Sequence, residues 1–182
     1  MAGTRKSNTG PGYGNTPGRC RNWIYSVLLV WLASCGQSSV YEKVIDFKEK
    51  AWVVTNRPQF SFEIKDYTSS YNLYYTLRNS LEFPFSRVFV NYTLSDSTGM
   101  DLRKELVYHY LFDQKTGRPT GSSGLGDLHD HSFPLVENYK FERPGRYTIT
   151  LEQFNRKDTL EGILAVGVRI EKTLRGGKLQ GK

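Results

Sequence analysis

From Tyr41 onward, apolar and polar residues alternate with a period close to two, and this excludes more folds than any other feature of the chain. Phe60, Phe62 and Ile64 are interleaved with Ser61, Glu63 and Lys65. An extended backbone therefore puts the apolar set on one face and the polar set on the other. The pattern returns in 71–77, where Leu73, Tyr75 and Leu77 share a side. It recurs in 87–94 with Val88, Val90, Tyr92 and Leu94, after Pro84 has punctuated the entry. Residues 102–112 set Leu106, Tyr108, Tyr110 and Phe112, read as the apolar face, against Glu105, Val107, His109 and Leu111; a turn at 113–117 follows. After Pro144-Gly145, Tyr147, Ile149 and Leu151 point inward in 146–153, and Val166, Val168 and Ile170 do so in 165–172.

A helix fits only around 158–163, and Gly162 limits its length. Twelve Tyr and ten Phe, with abundant Val, Ile and Thr, suit pleated, half-buried surfaces. Many strands at short spacing predict an all-β domain, an antiparallel β-sandwich, for which a jelly roll is one topology that fits. No internal repeat is visible.

The first 34 residues belong to a different regime. Residues 1–22 are rich in Gly, Pro, Ser, Asn and Thr and offer almost nothing to bury, which predicts disorder. From Trp23 to Leu32 every residue is apolar except Ser26, a run of ten where a membrane-spanning helix needs about twenty. Small residues follow, in the order expected of a secretory signal and its cut site. Leu32-Ala33-Ser34-Cys35 resembles the lipobox of bacterial lipoproteins, which implies that the Cys35 sulphur is acylated and becomes the new N-terminus. No acidic residue stands directly after Cys35; under the same resemblance this implies onward transport to the outer membrane, with the body facing the periplasm. The expected organisation is a signal at 1–34, a lipidated tether at 35–40, a sandwich at 41–173 and a basic tail at 174–182.

This division changes the meaning of the charge. Four of the 25 basic residues and none of the 18 acidic ones lie in the leader, which reduces the formal +7 to +3 from Cys35 onward. Lys172, Arg175, Lys178 and Lys182 sit at the end without an acid, so the body between is nearly neutral and its pI is no argument for nucleic-acid binding. With Cys20 in the leader and Cys35 acylated, no disulfide framework is available.

The most irregular stretch is 115–136, containing Gly117, Gly121, Gly124 and Gly126. A loop of this length inside a compact domain is more often functional than inert. Gly121-Ser-Ser-Gly124-Leu-Gly126 matches neither a dinucleotide nor a phosphate-loop fingerprint, nor is it a nucleophile elbow. Asp127, His129 and His131 are spaced by two, so a strand would send all three to one face, where they could chelate a metal. A closed zinc site wants four ligands, and the only other histidine is His109. The competing reading, a turn capped by Asp127 with histidines facing solvent, is preferred, and no catalytic, cofactor or metal residue is assigned. Gly121, Gly124, Gly126, Asp127, His129 and His131 are instead taken as a partner-docking loop. Tyr71, Tyr74, Tyr75, Tyr108, Tyr110 and Tyr139 raise the alternative of a platform for sugar rings, making the chain a glycan-binding module on a jelly-roll scaffold.

Gly126-Asp127-Leu128, Arg143-Pro-Gly-Arg-Tyr147, Glu152-Gln153, Arg156, Asp158, Leu160, Gly162-Ile163 and the run from Val166 to Lys172 together resemble the GldH family of gliding-motility lipoproteins of Bacteroidota. The run from Tyr74 to Asn79, Phe83-Pro-Phe-Ser86 and Cys35 extend that resemblance over nearly all of the chain after the leader. It implies a non-enzymatic outer-membrane lipoprotein that works with other gliding and type IX secretion envelope proteins. It carries over no catalytic residue, no cofactor and no small-molecule substrate.

Overall fold

A computed structural model describes residues 39–124 and 126–173, together with Met1 and Gly3. The leader, Cys35 and the basic tail lie outside the described residues. Eleven strands follow one another: β1 (Ser39–Asp46), β2 (Ala51–Val53), β3 (Gln59–Ile64), β4 (Tyr71–Ser80), β5 (Arg87–Ser95), β6 (Asp101–Tyr110), β7 (Ser122–Ser123), β8 (Leu128–Tyr139), β9 (Gly145–Gln153), β10 (Thr159–Glu161) and β11 (Ile163–Lys172). They form a five-stranded sheet in the order β1-β11-β4-β8-β7, a four-stranded sheet in the order β3-β9-β5-β6, and a ribbon of β10 and β2. Every pairing is antiparallel.

The period-two runs become the core. Phe60, Phe62 and Ile64 on β3, Val88, Val90, Tyr92 and Leu94 on β5, and Ile149 and Leu151 on β9 are buried, and they meet Leu73, Tyr75 and Leu77 of β4 and Val166, Val168 and Ile170 of β11. Both sheets contribute to one core, which makes the fold a β-sandwich. Rings close it at one end, where Phe62 lies 5.7 Å from Tyr41 and Tyr71 lies 5.6 Å from Phe141. The ribbon adds Trp52, wholly buried against Phe47, with its indole N–H donating to the Asn56 carbonyl at 2.9 Å. Burying a ring of that size and satisfying its one donor is how a large aromatic stabilises rather than strains a core.

Three loops are tied by the same device. The carboxylates of Asp66, Asp96 and Asp113 accept the backbone N–H of Thr68, Thr98 and Thr116, and Gly99 and Gly117 complete the latter two turns at positive φ. An Asp accepting from the chain two or three residues on is a turn built from sequence alone, and the turn expected at 113–117 is one of them.

Three expectations change. Thr159–Glu161 is a strand and not a helix: it pairs with β2, and Gly162 turns the chain at φ 81° so close to Phe83 that a Cβ there would stand 2.6 Å from the Phe83 backbone N. The stretch 115–136 is not one loop, because β8 occupies its second half and pairs with β4 from Ser80↔Leu128 to Tyr71↔Tyr139. Its inward positions carry His131 and Phe133 next to Pro134, a mixture that conceals the alternation. On β6 the sets are sorted correctly but the sandwich takes the other one. Val107 packs against the core and Leu111 is fully buried, while Leu106 and Tyr108 are 51% and 56% exposed. The inward set also meets Tyr75, whose ring is wholly buried and whose hydroxyl needs a partner. His109 Nδ1 supplies it at 2.9 Å, and the imidazole stacks 4.1 Å from Phe133 of the opposite sheet.

Candidate docking surfaces

The six residues singled out around 121–131 come together as a hairpin. Ser122 and Ser123 of β7 pair with Asp130 and His129 of β8, and the Gly124 N–H donates to the Leu128 carbonyl at 2.9 Å. Gly121 is required by contact: a Cβ there would stand 2.6 Å from the Asp130 carbonyl and 2.7 Å from the His131 ring. Gly126 turns the tip at φ 72°, and Gly124, Gly126 and Asp127 are all exposed. The Asp127 carbonyl accepts from Leu81 N–H, fixing the tip to the end of β4.

The histidines do not belong to that exposed tip. His129 and His131 pair with Asn79 and Leu77 of β4 and so share the inward face, and His131 is buried, which corrects the solvent-facing reading. His131 Nε2 lies 2.8 Å from Asn79 Oδ1, while the Asn79 amide donates to the Ser80 carbonyl; Oδ1 is thus the acceptor and Nε2 carries the proton. Burial, with His129 close by, pushes the His131 imidazole down to about 4, against an opposing pull from Asp130. Among the described residues no group of three or more His, Cys, Asp or Glu side chains comes within reach of one metal ion. Both serines of β7 donate to backbone carbonyls, of Asp130 and Gly124. On the outer face, Arg78 holds Asp130 through two bonds, at 2.7 and 3.2 Å.

The tyrosine platform does not assemble. Tyr71 and Tyr75 are core residues, Tyr71 donating its hydroxyl to the Asp66 carbonyl at 2.6 Å, and Tyr139 packs against the core beside Phe141. Tyr74 lies under the Arg169 guanidinium on the outer face of the five-stranded sheet. Tyr108 and Tyr110 instead belong to the outer face of the four-stranded sheet, Tyr108 beside Phe89 at 5.8 Å.

That outer face holds a feature that sequence reasoning missed. Phe85, Phe89, Leu106 and Phe154 line a groove of about 770 Å³, flanked by Arg87, Arg156 and Lys157. Phe154 is held there by its N–H donating to the Phe89 carbonyl, yet it stays 61% exposed. The groove draws on strand β5, strand β6 and the loop after β9, segments remote in sequence. The signal available was the 106–110 alternation, read with its faces exchanged.

The family model described as GldH lipoprotein matches residues 39–170. The chain is 27% identical over 161 residues to the "Gliding motility lipoprotein GldH homolog" of Christiangramia forsetii, covering 83% of this chain and 94% of that one. It is 26% identical over 160 residues to "Gliding motility lipoprotein GldH" of Flavobacterium johnsoniae, covering 81% and 94% respectively. Among solved structures, infectious bursal disease virus Gx strain aligns at a TM-score of 0.33 and 11% identity, over 77% of this chain and 31% of the viral one. The family match takes in the strands from β1 nearly to the end of β11, and on that ground the chain belongs to the GldH family of gliding-motility lipoproteins.

Proposed function

We propose that this chain is an outer-membrane lipoprotein, acylated at Cys35 and facing the periplasm, that serves the gliding apparatus and the associated type IX secretion machinery by binding other envelope proteins. The observation that carries the reading is the family match beginning at residue 39, four residues after Cys35 of the lipobox-like Leu32-Ala33-Ser34-Cys35. Residues 1–34 are then the signal, 35–40 the tether, 41–173 the working body and 174–182 a basic tail. Two acyl chains make such anchoring stable where one would be marginal. A non-enzymatic role is supported by the hairpin, where His131, Ser122 and Ser123 each hold a structural hydrogen bond. Its exposed tip of Gly124, Gly126 and Asp127 is one contact this reading offers to partners.

The test is radiolabelled palmitate together with a deletion strain. Wild-type chain takes up label, fractionates with the outer membrane and restores gliding and secretion. Cys35→Ala does none of these, although its sandwich folds. A chain that excludes the label, or a deletion strain that glides and secretes normally, ends the reading.

A further inference from the structure

A sheet edge is a template for another strand, and folded proteins blunt their edges with short strands, charges or irregular pairing. Of the four edges of the two larger sheets, three are blunted. β7 has two residues; β3 has six and presents Gln59, Ser61 and Glu63 outward; β1 carries Glu42 and Lys43 and breaks register between Ser39 and Tyr41. β6 is the exception. It runs for ten residues and, among the described residues, pairs only with β5. Its charges, Asp101, Arg103, Lys104 and Glu105, are confined to the first half. The second half, from Leu106 to Tyr110, is uncharged at neutral pH with His109 held neutral, since burial lowers the affinity of that imidazole for protons.

The aromatic groove adjoins that uncharged half. Leu106 is in its wall, Phe89 pairs with Tyr108 and Arg87 with Tyr110. Arg87, Arg156 and Lys157 lie along it, and no carboxylate does. Arg87 sits over the Phe89 ring at 5.0 Å, and among the described residues it makes no salt bridge. An apolar floor with three cations, beside an edge that no other strand pairs and whose Tyr110 carbonyl takes the Thr120 hydroxyl at 2.8 Å, fits one occupant best: an extended peptide that hydrogen-bonds β6 as a fifth strand, lays apolar side chains on Phe89 and Leu106, and sets acidic ones against the cations. The chain's own leader and last nine residues are basic and carry the wrong charge for this groove.

We propose that the Leu106–Tyr110 half of β6, with the groove beside it, docks an extended acidic and apolar segment of a partner polypeptide by strand addition. This names the partner chemistry within the function proposed above and rests on that reading.

The test uses the full acylated chain in detergent and a fluorescein-labelled ten-residue peptide alternating glutamate with valine and tyrosine. Its counterpart has lysine for every glutamate. Fluorescence anisotropy is expected to show the acidic peptide binding at least about tenfold more tightly, with the preference shrinking as salt is raised. Arg87→Glu with Arg156→Glu, and separately Tyr108→Lys, weaken it by about tenfold, whereas Glu63→Gln on the same sheet does not. Amide exchange slows in β6 when the acidic peptide is bound. Thermal melts confirm that each variant is folded, all being surface changes. Equal affinity for the two peptides, no binding, or unchanged exchange in β6 overturns the proposal. So does a dimer abolished by Tyr108→Lys, which gives the edge to a second copy, or protection of β6 by a neutral oligosaccharide in place of the peptide. Loss of peptide binding with palmitate labelling and gliding intact sinks this groove alone, and failure of those two sinks the function proposed above.

Discussion

Acidification is the perturbation that separates His131 from everything else holding the fold together. Its imidazole is buried against Asn79 and held neutral, down to about 4 from an ordinary value near 6.5. The folded value is depressed, so above 6.5 neither folded nor unfolded chain is protonated there, and His131 exerts no pull on stability. Between 6.5 and about 4 the unfolded chain binds a proton that the fold refuses, and stability falls as pH falls; below about 4 both forms are protonated and the loss is complete. A shift of 2.5 units (6.5 less 4) at about 1.4 kcal/mol each gives a total near 3 kcal/mol, of which about 2 kcal/mol is lost between pH 7 and 5.

That window is chosen to exclude the carboxylates. Asp66, Asp96 and Asp113 are held below the ordinary range, Asp66 by Lys172 first and the other two chiefly by threonine hydrogen bonds. Their stabilisation is present above the unfolded carboxylate range and is lost only as pH drops below it. His109 is depressed by burial and adds to the slope with the same sign as His131. The assay is therefore a comparison: urea unfolding at half-unit steps from pH 7 to 5, followed by Trp52 fluorescence, for wild type and His131→Gln. Gln can still donate to Asn79 but does not titrate. The wild-type curve should drop by about 2 kcal/mol more than the variant across the window. Parallel curves would show that the buried imidazole does not govern acid sensitivity.

Four further outcomes follow from packing and pairing. Gly167→Ala places a Cβ 2.7 Å from the Lys43 carbonyl and 2.5 Å from Thr76 Oγ1 in the middle of the five-stranded sheet; an overpacking cost of about 2 kcal/mol lowers Tm by about 4–8 °C by calorimetry. Gly162→Ala meets both a positive φ and the Phe83 backbone, and its melting loss should exceed that of Gly117→Ala, where a Cβ meets only open space. Tyr75→Phe strands His109 Nδ1 and costs about 1–2 kcal/mol, while a Tyr75→Phe, His109→Phe pair recovers part of it in a double-mutant cycle. Asp130→Asn breaks the pair with Arg78, but both side chains are over 40% exposed, so the change in urea midpoint corresponds to less than about 1 kcal/mol.

The parts of the fold legible in sequence are those where one physical preference acts alone. On β3, and over most of β5 and β9, the buried residues are aliphatic or aromatic and the outward ones polar, with Phe89 and the buried Gln153 as exceptions, so period and burial largely agree. On β8 they disagree, because His131 and Asn79 satisfy each other inside the sandwich and a buried polar pair looks like surface when only one strand is read. The same reasoning explains β6. Its alternation was visible, but the inward face meets a hydroxyl on the opposite sheet and 34 residues away in sequence, that of Tyr75, which one strand read alone does not reveal. The hairpin was legible as a cluster, through its glycines, but not as a structure that turns both of its histidines inward and buries one of them.

The exchange of faces on β6 has a consequence beyond bookkeeping of the core. Had Tyr108 and Leu106 gone inward, the groove would have lost its wall and the edge would have shown Glu105, Val107 and His109 to solvent. The residue that decides against this is the most deeply placed hydroxyl of the central strand β4, wholly buried and 2.9 Å from its imidazole partner. If satisfying that one buried donor is what turns the edge strand around, it lays the apolar set on the outside, where it costs solvation free energy in every unbound molecule. A structural demand in the core thereby creates an exposed apolar surface, and flanking cations make that surface selective. The coupling is open to measurement: if His109→Phe, which removes the acceptor, leaves both stability and peptide affinity unchanged, core and groove are independent and the strand is turned outward for some other reason.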